Sequence, residues 1–317
     1  MEVVIKEHEK AIRFQKSNKY NLYISLENIQ VAIENFSNDK CIKEGRYWKQ
    51  YEGQIPLDNT NEHTIVVVKQ FDNKSDEGRM CFLTKIKVLV EFKHKNIVAL
   101  VGYNDEMGER IICYENTPNG RLSKCVQDAS LCWMQRMKIC IDIVTELGFL
   151  HKGYMVHSDI KSASILLNKW NAKIYDMKLA SNAWNTKQWK HSCDDYGSLG
   201  FMNPEMENYV TVESDWYLLC MILLETFCGR FTKDLEPWGF CKNTLVRCAS
   251  IEYFINQVAF DGIKEQINGK SCNKFFKVAF QCGKVIESPW RVSESLDKAL
   301  EAQEDHEIWE PKLPIDY

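Results

Sequence analysis

Apolar residues recur at helical spacing between Ser25 and Phe36, where Leu26, Ile29, Val31, Ala32, Ile33 and Phe36 fall on one broad face. Ser25 stands where an N-cap hydroxyl belongs. Residues 1 to about 25 are polar, mixed in charge and of little periodicity, so they read as an N-terminal extension or a frayed helix. Beyond the helix the period changes. Short β-branched runs read as strands, Thr64 to Gln70 most clearly. Helical spacing from Met80 to Glu91 then precedes two more strand-like runs, Ile97 to Tyr103 and Arg110 to Tyr114. The first third of the chain is therefore sheet with one long helix.

The rest turns helical. Leu131, Met134, Met137, Ile141, Val144, Leu147 and Leu150 mark the face of a helix that runs to Lys152. Trp216 to Phe227 is apolar all round, which suits a helix enclosed on every side. Between them Leu167 to Met206 is rich in Ser and Asn and holds only short strand-like pieces, and the remainder is mainly helical through Ser293 to Glu304. A small β-rich part followed by a larger α-rich part makes an α+β chain with two unequal lobes.

Composition narrows the class. At 317 residues the chain forms two compact units or one large unit split into lobes. A net charge of -4 argues against a nucleic-acid surface built on bulk charge and against a polybasic membrane anchor. With 26% charged and 45% hydrophobic residues, collagen, disorder and coiled coil are excluded. The thirteen cysteines include no C-x-x-C pair, which predicts core thiols in a reducing compartment rather than disulfides or a zinc site. Met1 to Lys10 lacks the apolar run of a signal peptide, and the longest apolar stretch, Trp216 to Leu224, stops at Glu225, about half the length of a spanning helix. The expected location is cytoplasmic.

Three strings carry candidate chemistry, and their order matters most. Val66-Val67-Val68-Lys69 ends a β-branched strand on a lysine. His157-Ser158-Asp159-Ile160-Lys161-Ser162-Ala163-Ser164 is a polar turn that feeds Ile165-Leu166-Leu167. Asp176-Met177-Lys178 follows, with Asn203-Pro204-Glu205 further on. In this order they resemble the protein kinase signature set, in which a strand lysine, an H-R-D-x-K-x-x-N loop, D-F-G and A-P-E succeed one another. Ile24 to Phe36, Phe92 to Val98, Tyr114-Glu115, Asn119-Gly120, Gly197 to Phe201 and Glu225 to Arg230 are similar to the cytoplasmic domain of plant receptor-like Ser/Thr kinases of the malectin type.

The resemblance spans nearly the whole chain. It implies a bilobal kinase-like domain over 26–308, with a small β-rich N-lobe over about 26–115, a larger helical C-lobe over about 116–308 and a tail over 309–317. It places Lys69, Gly45, Tyr114, Glu115 and Leu166 at nucleotide-binding positions, Asp159 at the general base, and Lys161 at the lysine that neutralises the transferred phosphoryl. Asp176 and Ser164 fall at the two metal-ligand positions, so ATP and Mg²⁺ are the implied cofactors.

Departures from the pattern fall on the chemistry. Of three phosphate-loop glycines only Gly45 remains, with Lys43 and Trp48 at the others, Gln50 at the following valine and Val67 at a small alanine. Lys85 stands where a helix glutamate pairs with the strand lysine. Like charges ~4 Å apart at an effective dielectric of about 20 repel by roughly 4 kcal/mol, which predicts that the two lysines part and the helix turns or shifts outward. Ser164 replaces asparagine, Lys178 a glycine, Ser158 the arginine that pairs with a phosphorylated segment, and Ser288 the arginine before Pro289. Architectural positions persist at His157, Met177, Leu89, Asp215 and Pro204-Glu205.

Three readings follow. The first is a pseudokinase that binds or regulates other signalling proteins, receptor-like kinases among them, in the cytoplasm or at the inner face of the plasma membrane. The second is a weakly active Ser/Thr kinase, and the third a nucleotide-binding switch without turnover. Lys85, Trp48 and Ser164 favour the first, while intact Lys69, Asp159 and Asp176 keep the others open.

Overall fold

The computed structural model describes residues 22–56, 63–176, 181–182, 212–231, 251–282 and 289–309. Two compact units emerge, Met1–Pro118 with Tyr175–Ala180, and Asn119–Ile174 with Ser181–Tyr317.

The first unit is built on a five-stranded antiparallel sheet: β1 (Cys41–Gly45), β2 (Trp48–Pro56), β3 (His63–Phe71), β4 (Leu100–Asn104) and β5 (Ile111–Glu115), in the order β1-β2-β3-β5-β4. Helix α1 (Leu26–Ala32) starts where Ser25 Oγ accepts the Asn28 N–H, as its sequence predicts. It stops earlier than the hydrophobic period suggests, because Glu34, Asn35 and Phe36 turn left-handed with φ of 51, 52 and 60°. Val31 leaves the expected face and is 75% exposed, whereas Ile29 and Ile33 pack with Tyr51, Ile55, Val66, Val68, Ile111 and Cys113 in one core.

The end of the extension is part of the sheet rather than a free arm. Tyr23 pairs in parallel with Tyr103, Ile24 donates to Tyr103 O at 3.0 Å, and Tyr103 donates to Leu22 O at 2.8 Å. Asn104 Nδ2 adds bonds to Tyr23 Oη and Ile24 O. These contacts occupy backbone groups that an edge strand would otherwise leave unpaired. Gly102 permits the approach, since a Cβ there would lie 2.5 Å from Ile24 Cδ1.

Helix α2 (Asp76–Glu91) begins a turn before the predicted Met80, capped by Ser75 Oγ on the Gly78 N–H, with Asp76 and Glu77 favouring its positive end. Its inner face carries Phe82, Ile86, Val88 and Leu89, with Phe82 edge-on to Phe71. Lys85 is on that same buried face.

The second unit is mainly helical: α3 (Leu122–Cys125), α4 (Trp133–Lys152), α5 (Val212–Cys228), α6 (Ile251–Val258), α7 (Gly269–Cys282) and α8 (Pro289–Trp309). Two small sheets join them, β6 (Met155–Val156) with β9 (Ser181–Asn182), and β7 (Ile165–Asn168) with β8 (Asn171–Ile174). Helix α5 is enclosed nearly all round, as its composition predicts, and its Phe227 meets Trp133 and Phe276 at 5.4 and 4.6 Å between ring centroids. Arg136 on α4 is wholly buried, and its guanidinium donates to the carbonyls of Leu131, Val126, Thr226 and Asp128. Backbone oxygens thus satisfy a cation that has left water. The nine cysteines whose side chains are described are all free thiols.

Candidate functional site

Register places the strand lysine. Lys69 on β3 lies opposite Gln50 on β2 and Ile112 on β5. Its Nζ donates to Asp176 Oδ1 at 3.1 Å and to Tyr175 Oη at 3.5 Å. Lys85 Nζ, from α2, donates to the same Asp176 oxygen at 2.6 Å. The two lysines are 1% and 2% exposed.

This arrangement corrects the expectation that the lysines part and the helix moves outward. Asp176 accepts from both, and the attraction of one carboxylate for two cations replaces a bare repulsion. Burial alone would raise the Asp176 carboxyl, but the Lys69 and Lys85 ammonium groups outweigh it and hold the carboxyl well below its ordinary range. Asp176 adopts a left-handed φ of 69°, a conformation that Asp tolerates better than most residues.

Aromatic rings surround this ion cluster. The Trp48 ring centroid is 4.0 Å from Lys69 Nζ, with Tyr175 and Phe71 at 5.5 and 5.7 Å. A Cβ on Gly45 would fall 2.4 Å from Trp48 Cε2, so the surviving loop glycine makes room for the indole. Buried Gln50 donates from Nε2 to Tyr175 Oη at 2.6 Å. Tyr114 stands edge-on to Tyr175 at 5.4 Å, and its buried hydroxyl has no hydrogen-bond partner among the described residues. Burial, followed by the nearby Tyr175 and Asp176, pushes the Tyr114 phenol well above its usual value. Glu115 is tied to Ala99, accepting its N–H at 2.7 Å and donating to its carbonyl at 3.1 Å.

The second unit gathers the turn residues. Asp215, in the first turn of α5, accepts the N–H groups of His157 and Ser158, both at 2.8 Å, and its Oδ2 lies 2.9 Å from His151 Nε2. That pins the loop and holds Ser158 at φ 73°. Lys161 Nζ donates to both oxygens of Asp159, at 3.0 and 2.8 Å. Ser164 is buried, its Oγ accepting the Lys161 N–H at 2.9 Å and donating to the Lys161 carbonyl at 2.8 Å. Leu166 sits in β7 opposite Lys173 and bridges to Arg121.

Lys69, Gly45, Tyr114, Glu115 and Asp176 therefore belong to the first unit, and Asp159, Lys161, Ser164 and Leu166 to the second. Sequence reasoning missed Tyr175, whose only signal is its place before Asp176, and His151, six residues ahead of His157. Met177, Lys178, Asn203, Pro204, Glu205 and Ser288 lie outside the described residues. Among the described residues no group of three or more His, Cys, Asp or Glu could hold a metal, and no helix is long and apolar enough to cross a membrane.

Residues 36–243 match the family described as protein tyrosine and serine/threonine kinase. The chain belongs to this family. Its first unit is the β-sheet N-lobe of a kinase domain and its second the helical C-lobe. This kinase domain is 34% identical to the receptor-like protein kinase HERK 1 of Arabidopsis thaliana over 219 residues, 66% of this chain and 26% of that protein. It is 30% identical to FERONIA of the same plant over 302 residues, covering 90% and 33%, and 30% identical to ANXUR1 over 273 residues, covering 81% and 31%. The chain spans about a quarter to a third of the length of these relatives. Kinases of this family use ATP with Mg²⁺.

Proposed function

We propose that this kinase domain, spanning residues 26–308, acts by binding and regulating other signalling proteins, receptor-like kinases among them, and does not transfer phosphate. The location proposed with it is the cytoplasm or the inner face of the plasma membrane.

The pairing of Lys85 with Asp176 at 2.6 Å carries this reading. Mg²⁺ wants several hard oxygen ligands in near-octahedral geometry. Here one oxygen of the metal-binding carboxylate already accepts from two ammonium groups, and a divalent cation would meet both positive charges at close range. Ser164 has spent its proton and an oxygen lone pair on the Lys161 backbone. These residues do not fit the metal, and phosphoryl transfer depends on metal-assisted charge neutralisation. The same cluster fixes α2 to the start of the segment after β8 through the protein's own side chains, which suits a domain whose output is a surface.

A weakly active Ser/Thr kinase is the second reading, favoured by the Asp159 and Lys161 pair on a loop that Asp215 keeps in shape. Radiolabelled phosphate transfer from Mg²⁺-ATP to the chain itself or to a generic Ser/Thr substrate separates the two. The expected rate equals the no-enzyme blank and does not change in Asp159→Ala. Transfer that disappears in that variant would establish the second reading.

A further inference from the structure

Lys85 holds more hydrogen-bonding capacity than its surroundings use. An ammonium group carries three N–H donors. Lys85 is 2% exposed and spends one donor on Asp176 Oδ1 at 2.6 Å, its one hydrogen-bond acceptor among the described residues. The Tyr175 ring lies 5.7 Å from its Nζ, and beyond hydrogen bonding that contact offers only a π face. Tyr175 also stands edge-on to Tyr114, whose buried hydroxyl is a second donor without an acceptor among the described residues. Buried donors left in this state are costly, and a cationic one more so.

The cluster is not sealed. The Asp176 side chain is 26% exposed, so solvent reaches the carboxylate between the lysines. Trp48, half-buried at the start of β2, lies with its ring nearest Lys69. Two ammonium groups on one carboxylate leave a net positive charge beside the exposed edge of Asp176, and that excess charge is what draws an anion.

We infer that Lys85 supplies in fixed form the charge that Mg²⁺ brings to other kinase domains, so that with Lys69 it takes a polyphosphate chain free of divalent metal. A triphosphate bears several negative charges that a single lysine leaves mostly unbalanced, and a second ammonium makes up part of the difference. Added Mg²⁺ then works against binding, because it competes for the phosphate oxygens and is repelled by both lysines. The Trp48 indole gives way, since its cation-π contact is weaker than charge-assisted bonds from ammonium to phosphate. The chain could come from a nucleoside triphosphate or from inorganic triphosphate. The inference rests on the non-catalytic reading above, which excludes the metal from this position.

Thermal unfolding of the full chain tests it, with ATP or sodium triphosphate titrated in EDTA and again in excess Mg²⁺. The melting temperature is expected to rise in EDTA and to rise less in Mg²⁺. A response to ATP alone assigns the nucleotide as the source, and an equal response to triphosphate assigns the phosphate chain by itself. Lys85→Met, which keeps the length and drops the charge, is expected to weaken metal-free binding about tenfold or more. Lys85→Glu is expected to make any shift depend on Mg²⁺, with circular dichroism showing that both variants fold. No shift with either anion in EDTA, a wild-type shift that grows with Mg²⁺, or an unchanged shift in Lys85→Met would each overturn the inference. Phosphate transfer from Mg²⁺-ATP would instead overturn the non-catalytic reading, so the two failures are distinguishable.

Discussion

Asp176 shows how one side chain can reverse the meaning of its neighbours. Lys69 and Lys85 taken as a pair repel, and sequence positions alone supply only the pair. The carboxylate that reconciles them is 91 residues beyond Lys85, and its approach depends on strand register and on a left-handed turn at Asp176 itself. Lys69, Asp159, Lys161 and Asp176 were legible as a group because short strings carry them; the partner that each finds was not. Asp176→Asn removes the carboxylate that both lysines share and is expected to cost about 3 to 5 kcal/mol in urea unfolding at neutral pH. The pH dependence follows from the same pairing. A carboxyl held below its unfolded value of 3.8 adds stability that is present above that value and is lost as pH falls through the lower folded value. Wild type should therefore lose stability more steeply than Asp176→Asn below about pH 4, and parallel curves would show that the cluster does not carry it.

Elements were more legible than contacts. The Ser25 cap and the enclosed α5 could be read from local pattern, because each depends on residues within a few turns. The strands β1 and β2 were harder. Their mixed composition, from Cys41 to Pro56, follows no clean alternation, and their pairing is fixed by a hairpin in which Trp48 lies against Gly45. This hairpin predicts a specific failure. In Gly45→Ala a methyl would stand 2.4 Å from the indole, so the ring must leave Lys69, with an expected loss of about 1 to 3 kcal/mol. Adding Trp48→Ala to that variant should recover part of the loss. Simple additivity in a double-mutant cycle would refute the contact.

Across the whole molecule, the α+β pattern and the motif order were enough to anticipate a kinase domain, which the family match and the receptor-like relatives bear out. Buried polar groups at long range were not anticipated, and Glu146 on α4 is one of them. Burial pushes its carboxyl up from 4.5 to about 8. An acid with a raised folded value stabilises fully below its unfolded value and loses that contribution as pH climbs through the folded one. Between pH 4.5 and 8 the chain should therefore become less stable on this account, and Glu146→Gln should flatten the slope of melting temperature against pH. An unchanged slope would place the titrating group elsewhere.

The pairing of Leu22, Tyr23 and Ile24 with the edge strand β4 has a mechanical side. Leu22 to Ile24 run alongside Tyr103 and parallel to β4. A pull on Leu22 along that line loads the Ile24 and Tyr103 hydrogen bonds in shear, all at once, instead of peeling them one by one. The pairing of Leu22 to Ile24 with β4 thus acts as a strain relief for the ion cluster within the same unit.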